Sequence, residues 1–194
     1  MSVKATVLAR VCCLLLLAST CRAEVREMLD YIYYDVPDPI TADMTLAESL
    51  NAATPIEQGE RPLHGYNHWS LRWHLDFSQS ESACEVASVT VDLDTQMQLP
   101  QMVSASAEVQ ERFNAYVERL QRHLVGHYVV AIQAANKIEL QLSQLGAAAD
   151  CDELEARADS IAEAIVAEHR DKEKAFDEMT DYGAQQGVVV PEEE

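Results

Sequence analysis

From Trp69 to Phe77 apolar and polar side chains alternate without a break, with Trp69, Leu71, Trp73, Leu75 and Phe77 on one side and Ser70, Arg72, His74 and Asp76 on the other. A period of two sends successive side chains to opposite faces, so the pattern predicts a strand with one buried and one wet face. Cys84 to Leu93 repeats it with Ala87, Val89, Val91 and Leu93, and a further short strand is expected before Pro100. Tyr31 to Val36 is aromatic and β-branched and stops at Pro37, as a first strand does. Thr45 and Glu48 have capping-box spacing and open a short helix to about Ala53. Consecutive strands with short connections predict a small antiparallel sheet.

Beyond Ser106 the period changes. Val109, Phe113, Val117, Leu120, Leu124, Ala131, Ile138, Leu142 and Leu145 recur at helical spacing, with no proline and a single glycine, Gly126. This predicts one long amphipathic helix ending at Gly146. Asp150 with Glu153 caps a second, carrying Leu154, Ala158, Ile161, Ile165, Phe176 and Met179 to about Tyr182 or Gly183. The predicted fold class is α+β: a small antiparallel sheet in the N-terminal half packed against two long C-terminal helices. Residues 24–187 form a single domain, 24–103 strand-rich and 104–187 helical, followed by an acidic tail, 188–194, expected to fray.

Composition and charge narrow the function. With 194 residues, 48% apolar and 24% charged, the chain suits one compact domain. A formal charge of −19 repels phosphate backbones, which argues against nucleic acid as a partner. Residues 1–23 carry Lys4 and Arg10 before an apolar run from Val11 to Ala18 and then small residues, the pattern of a secretory signal cleaved after Ala23. The run is too short to span a bilayer, so no membrane span is expected in the mature chain. Lipoprotein processing at Cys21 is a minor alternative. An exported, periplasmic or secreted chain is expected. Cys84 and Cys151 are then the only mature cysteines, and in an oxidising compartment a disulfide between them is expected, tying sheet to helix. The alternative, a two-cysteine metal site, lacks CxxC spacing.

The chemistry concentrates at His123-Leu124-Val125-Gly126-His127. Histidines four residues apart project from one face of a helix and can share a metal ion, which is the mechanical content of the HExxH zinc motif. Leu124 stands where that motif has the glutamate that activates zinc-bound water. Glu139 lies too far along the same helix to substitute, while Asp177, Asp181 or Tyr182 reach the pair if the second helix packs antiparallel to the first. Elsewhere, His64, His68 and His74 surround the Trp69 strand, the latter two on its wet face. Trp69 and Trp73 share a face as core aromatics do, and the acids at 150–155 fit a helix start.

With Gly65-Tyr66-Asn67-His68-Trp69-Ser70-Leu71-Arg72-Trp73, Cys84, Leu99-Pro100, the histidine pair, Cys151 and the segment 176–187, the mature chain resembles the family called domain of unknown function 922, predicted secreted zinc-dependent proteases. The resemblance implies a zincin-like fold and a metallopeptidase site, with HExxH on the long helix. It also implies a third ligand from a segment reading approximately D-x-x-T-x-H-G after the second helix. Asp177, Thr180 and Gly183 match that segment, and Tyr182 stands at its histidine. The departures at Leu124 and Tyr182 imply an impaired or inactive enzyme, acting as a binding or accessory protein for a protein or peptide in the cell envelope. They imply weak zinc binding on His123 and His127, with Tyr182 the remaining candidate ligand. An active peptidase with relocated base and ligand is the alternative.

Overall fold

The structure, a computed structural model, describes residues 21–56, 62–103 and 105–191. The segment 1–20 of the proposed signal and the final glutamates, 192–194, lie outside the described residues. In chain order the elements are β1 (Arg22–Asp35), α1 (Pro39–Ala42), α2 (Leu46–Ala53), β2 (Tyr66–Gln79), β3 (Cys84–Gln101), α3 (Ala107–Ser143), α4 (Cys151–Thr180) and a single 3-10 turn at Ala184–Gln186. The α+β class stands. No helix among the described residues is long and apolar enough to cross a membrane.

The sheet departs from the purely antiparallel expectation. Its order is β1-β3-β2, with β2 antiparallel to β3 but β1 parallel to it. The cause is topological. Residues 80–83 turn tightly between β2 and β3, with Ser80 N–H donating to the Ala83 carbonyl at 2.8 Å. The hairpin returns β3 into the slot between β2 and β1, and because β1 runs against β2, β3 must run with β1. The strand is also longer than its pattern, continuing through Pro100 to Gln101 as one element. Pairing with β2 stops at Gln98, so Pro100 sits beside β1 alone, where a missing N–H is tolerated.

The alternation in β2 holds: Trp69 is fully buried, Leu71, Trp73, Leu75 and Phe77 are half-buried, and Ser70, His74 and Asp76 face solvent. The main core lies between that face and the two helices. Trp69, Val89, Val91 and Leu93 of the sheet meet Ala131, Ala135 and Ile138 of α3 and Ala158, Ala162 and Ile165 of α4. Alanines at these contacts let the helices approach closely. A second cluster joins Leu46 and Leu50 of α2, Met97 and Leu99 of β3, and Phe113, Tyr116, Leu120 and Leu124 of α3. The capping box at Thr45 and Glu48 forms, and the Asp150 side chain accepts from Glu153 N–H.

Cys84 and Cys151 are disulfide-bonded, with their Cα atoms 5.2 Å apart, which fastens the start of β3 to the start of α4. Helix α4 stops at Thr180, short of Tyr182. Asp181, Tyr182 and Gly183 all take left-handed backbone angles, and the Tyr182 N–H closes the helix on the Asp177 carbonyl. Within the expected tail, the described residues Val188 and Val190 are half-buried against the second cluster.

Candidate metal centre

Helices α3 and α4 run antiparallel, with Lys137 of one bonded to Glu168 of the other and His127 bonded to Asp177. This register brings α4's acidic face to the histidine pair. His123 and His127 are 5% and 8% exposed, their rings perpendicular with centroids 5.0 Å apart. Asp177 Oδ1 lies 3.0 Å from His127 Nε2 and 3.3 Å from His123 Nε2, and the two Nε2 atoms are 3.4 Å apart. The three ligand atoms converge on one point.

Their spacing tests whether a zinc ion fits. Tetrahedral zinc with bonds of 2.0–2.1 Å separates neighbouring ligand atoms by about 3.3 Å. The observed edges, 3.0, 3.3 and 3.4 Å, have the dimensions of one face of such a tetrahedron. Both imidazoles turn Nε2 inward and Nδ1 away. His123 Nδ1–H donates to Gln186 Oε1 at 2.9 Å, while His127 Nδ1 lies 3.5 Å from Glu173 Oε1. Acceptors behind ligating histidines are what fixes their tautomer and orientation in metal sites.

Electrostatics hold the cluster together. Burial alone would lower the His127 pKa, but the hydrogen bond to Asp177 and the negative charges of Asp177 and Glu173 outweigh it and raise it to about 9. Burial would likewise raise the Asp177 pKa, yet the two histidines hold it well below the usual carboxylate range. A proton on His127 Nε2 and a cation therefore compete for one position.

Phe176 completes the packing, stacked on the His123 ring at 5.1 Å and edge-on to His127 at 5.1 Å. Gly126 makes room for it: a Cβ there would stand 2.4 Å from Phe176 Cζ. A cavity of about 1150 Å³ opens over the cluster. Its walls include Gly65 and Asn67 of the β2 entry, Leu120 and Leu124 of α3, Tyr182, and Val188 to Val190.

The residues singled out from sequence fall into three groups. His123, His127 and Asp177 meet at ligand distance. Gly65, Leu124, Thr180, Tyr182 and Gly183 shape the surroundings. Leu124 is 3% exposed and packs on Gly65, where a Cβ would lie 2.9 Å from its Cδ1. Thr180 Oγ1 donates to the Phe176 carbonyl at 2.8 Å and accepts from Gly183 N–H at 3.2 Å, which forms the reversal. At Gly183 a Cβ would lie 3.0 Å from His123 Cγ, so glycine there lets the turn close on the ring. Tyr182 lines the cavity and is 44% exposed. The third group is structural: Trp69 in the core, Trp73 donating from Nε1 to Asp159 at 2.7 Å, and the disulfide. His68 and His74 lie on the wet face as expected, whereas His64 lines the cavity, bonded to Tyr116 and Asn51.

Three contributors had no role in the site assigned from sequence. Glu173, four residues before Asp177, shares its face of α4, and that spacing was an available signal. Gln186 reaches His123 only because three left-handed residues reverse the chain, which no periodicity announces. Asn67 is a buried cavity-wall residue whose carboxamide has no hydrogen-bond partner among the described residues.

The fold and site define a helical hairpin on a mixed sheet, with a two-histidine, one-carboxylate cluster beneath a large cavity. The chain belongs to the DUF922 family of bacterial proteins of unknown function, whose model matches residues 31–183. No curated protein and no solved structure matches it.

Proposed function

We propose that this chain is an exported metal-binding protein that holds a zinc ion on His123, His127 and Asp177, and receives a protein or peptide of the cell envelope in the cavity above without cleaving it. The observation that carries the reading is the triangle of ligand atoms at tetrahedral spacing, each histidine backed by an acceptor. Export is supported by the signal-like pattern of residues 1–23 and by the Cys84–Cys151 bond. Three protein ligands leave a zinc ion an open position, where it supplies Lewis acidity to a bound group.

The carboxylates present limit cleavage. Hydrolysis at such a site needs a general base, and its loss costs roughly 10²- to 10⁴-fold. Leu124 supplies none. Asp177 is the only carboxylate among the described residues grouped with the histidines as a ligand. Glu173 stands behind the His127 ring, at Nδ1, on the side opposite the inward Nε2.

Metal analysis of the purified mature protein after dialysis against a mild chelator tests the reading. One zinc per chain, lost in Asp177→Asn and in His123→Ala, with no chelator-sensitive peptide hydrolysis, is expected. Metal-free protein after zinc loading overturns the metal centre. Chelator-sensitive hydrolysis abolished by His123→Ala would instead establish the second reading, an active peptidase.

A further inference from the structure

We propose that Glu173 and Arg170 are positioning residues that hold the His127 imidazole for metal and anchor it to the sheet. The inference rests on the metal centre argued above. It concerns residues that no motif in the sequence marks.

The contacts run across three elements. Glu173, on α4, has its side chain only 13% exposed and sets Oε1 at 3.5 Å from His127 Nδ1 on α3. Its other oxygen, Oε2, accepts from Arg170 Nη1 at 3.0 Å. Arg170 in turn donates from Nη2 to the Trp69 carbonyl of β2 at 2.6 Å, and its guanidinium lies 3.5 Å over the Trp69 ring. Trp69 is fully buried in the main core, so the far end of the chain of contacts is packed on all sides.

Each link has a physical role. An imidazole that binds metal through Nε2 must keep its proton on Nδ1, and a carboxylate there fixes that tautomer and strengthens the nitrogen as a ligand. At 3.5 Å the Glu173 contact is an ion-pair approach rather than a formed hydrogen bond, so its orientation depends on what holds the other oxygen. Arg170 does that. Its planar fork reaches a carboxylate and a backbone carbonyl while stacking on an indole, three engagements that a lysine ammonium cannot reproduce. An exposed Arg–Glu pair one helical turn apart contributes little by itself. Here the glutamate is shielded and its second oxygen is directed at a ligand. The two histidines are therefore backed unequally, His123 by the neutral Gln186 amide and His127 by a charge.

The test compares zinc affinity, by competition with a chelating dye, and the visible spectrum of the cobalt-loaded protein for wild type, Glu173→Gln, Arg170→Lys and the double variant. Glu173→Gln preserves shape and is expected to weaken zinc about 10- to 100-fold while leaving the cobalt spectrum that of the same ligand set. Arg170→Lys should weaken it less, and its effect should largely vanish in the Glu173→Gln background, since a relay is non-additive. Nitrogen-15 shifts of the wild-type zinc protein should show His127 protonated at Nδ1, an observation independent of whether either variant folds. Wild type that binds zinc with Nδ1 unprotonated, or with the same affinity as a folded Glu173→Gln variant, overturns this inference alone. Wild type that binds no zinc overturns the functional reading and this inference with it.

Discussion

Gly126 sits in the middle of a 37-residue helix, where glycine is destabilising by about 1 kcal/mol relative to alanine. Propensity alone recommends Gly126→Ala, but the Phe176 ring occupies the space that a methyl group needs. Overpacking of this kind typically costs about 1–3 kcal/mol. We expect Gly126→Ala to lower stability by about 1 kcal/mol and to weaken metal binding, because the displaced ring is the one stacked on His123; urea unfolding and a zinc titration check both. A gain in stability would mean that Phe176 moves aside freely. His64 makes a second prediction at this scale. Burial lowers its pKa to about 4, whereas in the unfolded chain it titrates near 6.5. The unfolded state thus binds the extra proton between those values, so this group's contribution is present above about pH 6.5 and is lost as pH falls toward 4. The amount is on the order of 2 kcal/mol. Urea unfolding at pH 7 and pH 4.5 should show a smaller acid loss in His64→Gln than in wild type. Equal losses would remove His64 from the account.

At the scale of elements, the two periodicities carried most of the fold. Alternation at Trp69–Phe77 placed β2 and that at Val89–Leu93 the middle of β3, while Ala87 faces solvent and Val86 packs inward because a bulge at Asp76–Phe77 shifts the register. Helical spacing placed α3 and α4 because their apolar stripes are long. The direction of β1 was not legible, since a strand's local pattern says nothing about which neighbour it pairs with. Direction was decided by the hairpin that slots β3 between the outer strands. The third ligand was half legible. Asp177 stood among the acids expected to reach the histidines if the helices were antiparallel, but Asp177 lies much deeper into α4 than His127 lies from the end of α3, an offset that loop length does not give. The disulfide was legible from cysteine count and the expected compartment. It closes a loop across a sequence separation of 67 residues. In the chain-entropy model that constraint stabilises by about 4 kcal/mol. The paired change Cys84→Ala with Cys151→Ala should therefore lower unfolding free energy by roughly 2–5 kcal/mol. Zinc affinity should stay unchanged in the folded variant, because the bond lies at the opposite end of the helical hairpin from the cluster. Loss of metal binding in a folded protein would mean that the bond sets the α3–α4 register.

For the whole molecule the question is whether one missing carboxylate accounts for the expected lack of hydrolysis. Leu124 is both a wall of the cavity and a member of the second core cluster, packed on Gly65 and 3% exposed. Leu124→Glu therefore puts a carboxylate where apolar contact stabilised the fold, at a cost of several kcal/mol in the metal-free protein unless it protonates or finds a partner. If zinc occupies the cluster, the new carboxylate gains a charged neighbour, and zinc should recover part of the lost stability. The expected pattern is a melting temperature well below wild type without zinc, a larger zinc-induced rise than wild type shows, and slow chelator-sensitive cleavage of a peptide that wild type leaves intact. Tyr182→His, added to it, should change affinity little, because Asp177 already stands at ligand distance from both histidines. Circular dichroism melts with and without zinc, beside a fluorogenic peptide assay, read all three. A folded, zinc-loaded Leu124→Glu protein that still cleaves nothing would show that the base is not the missing element, and would make this cavity a binding site by shape as well as by chemistry.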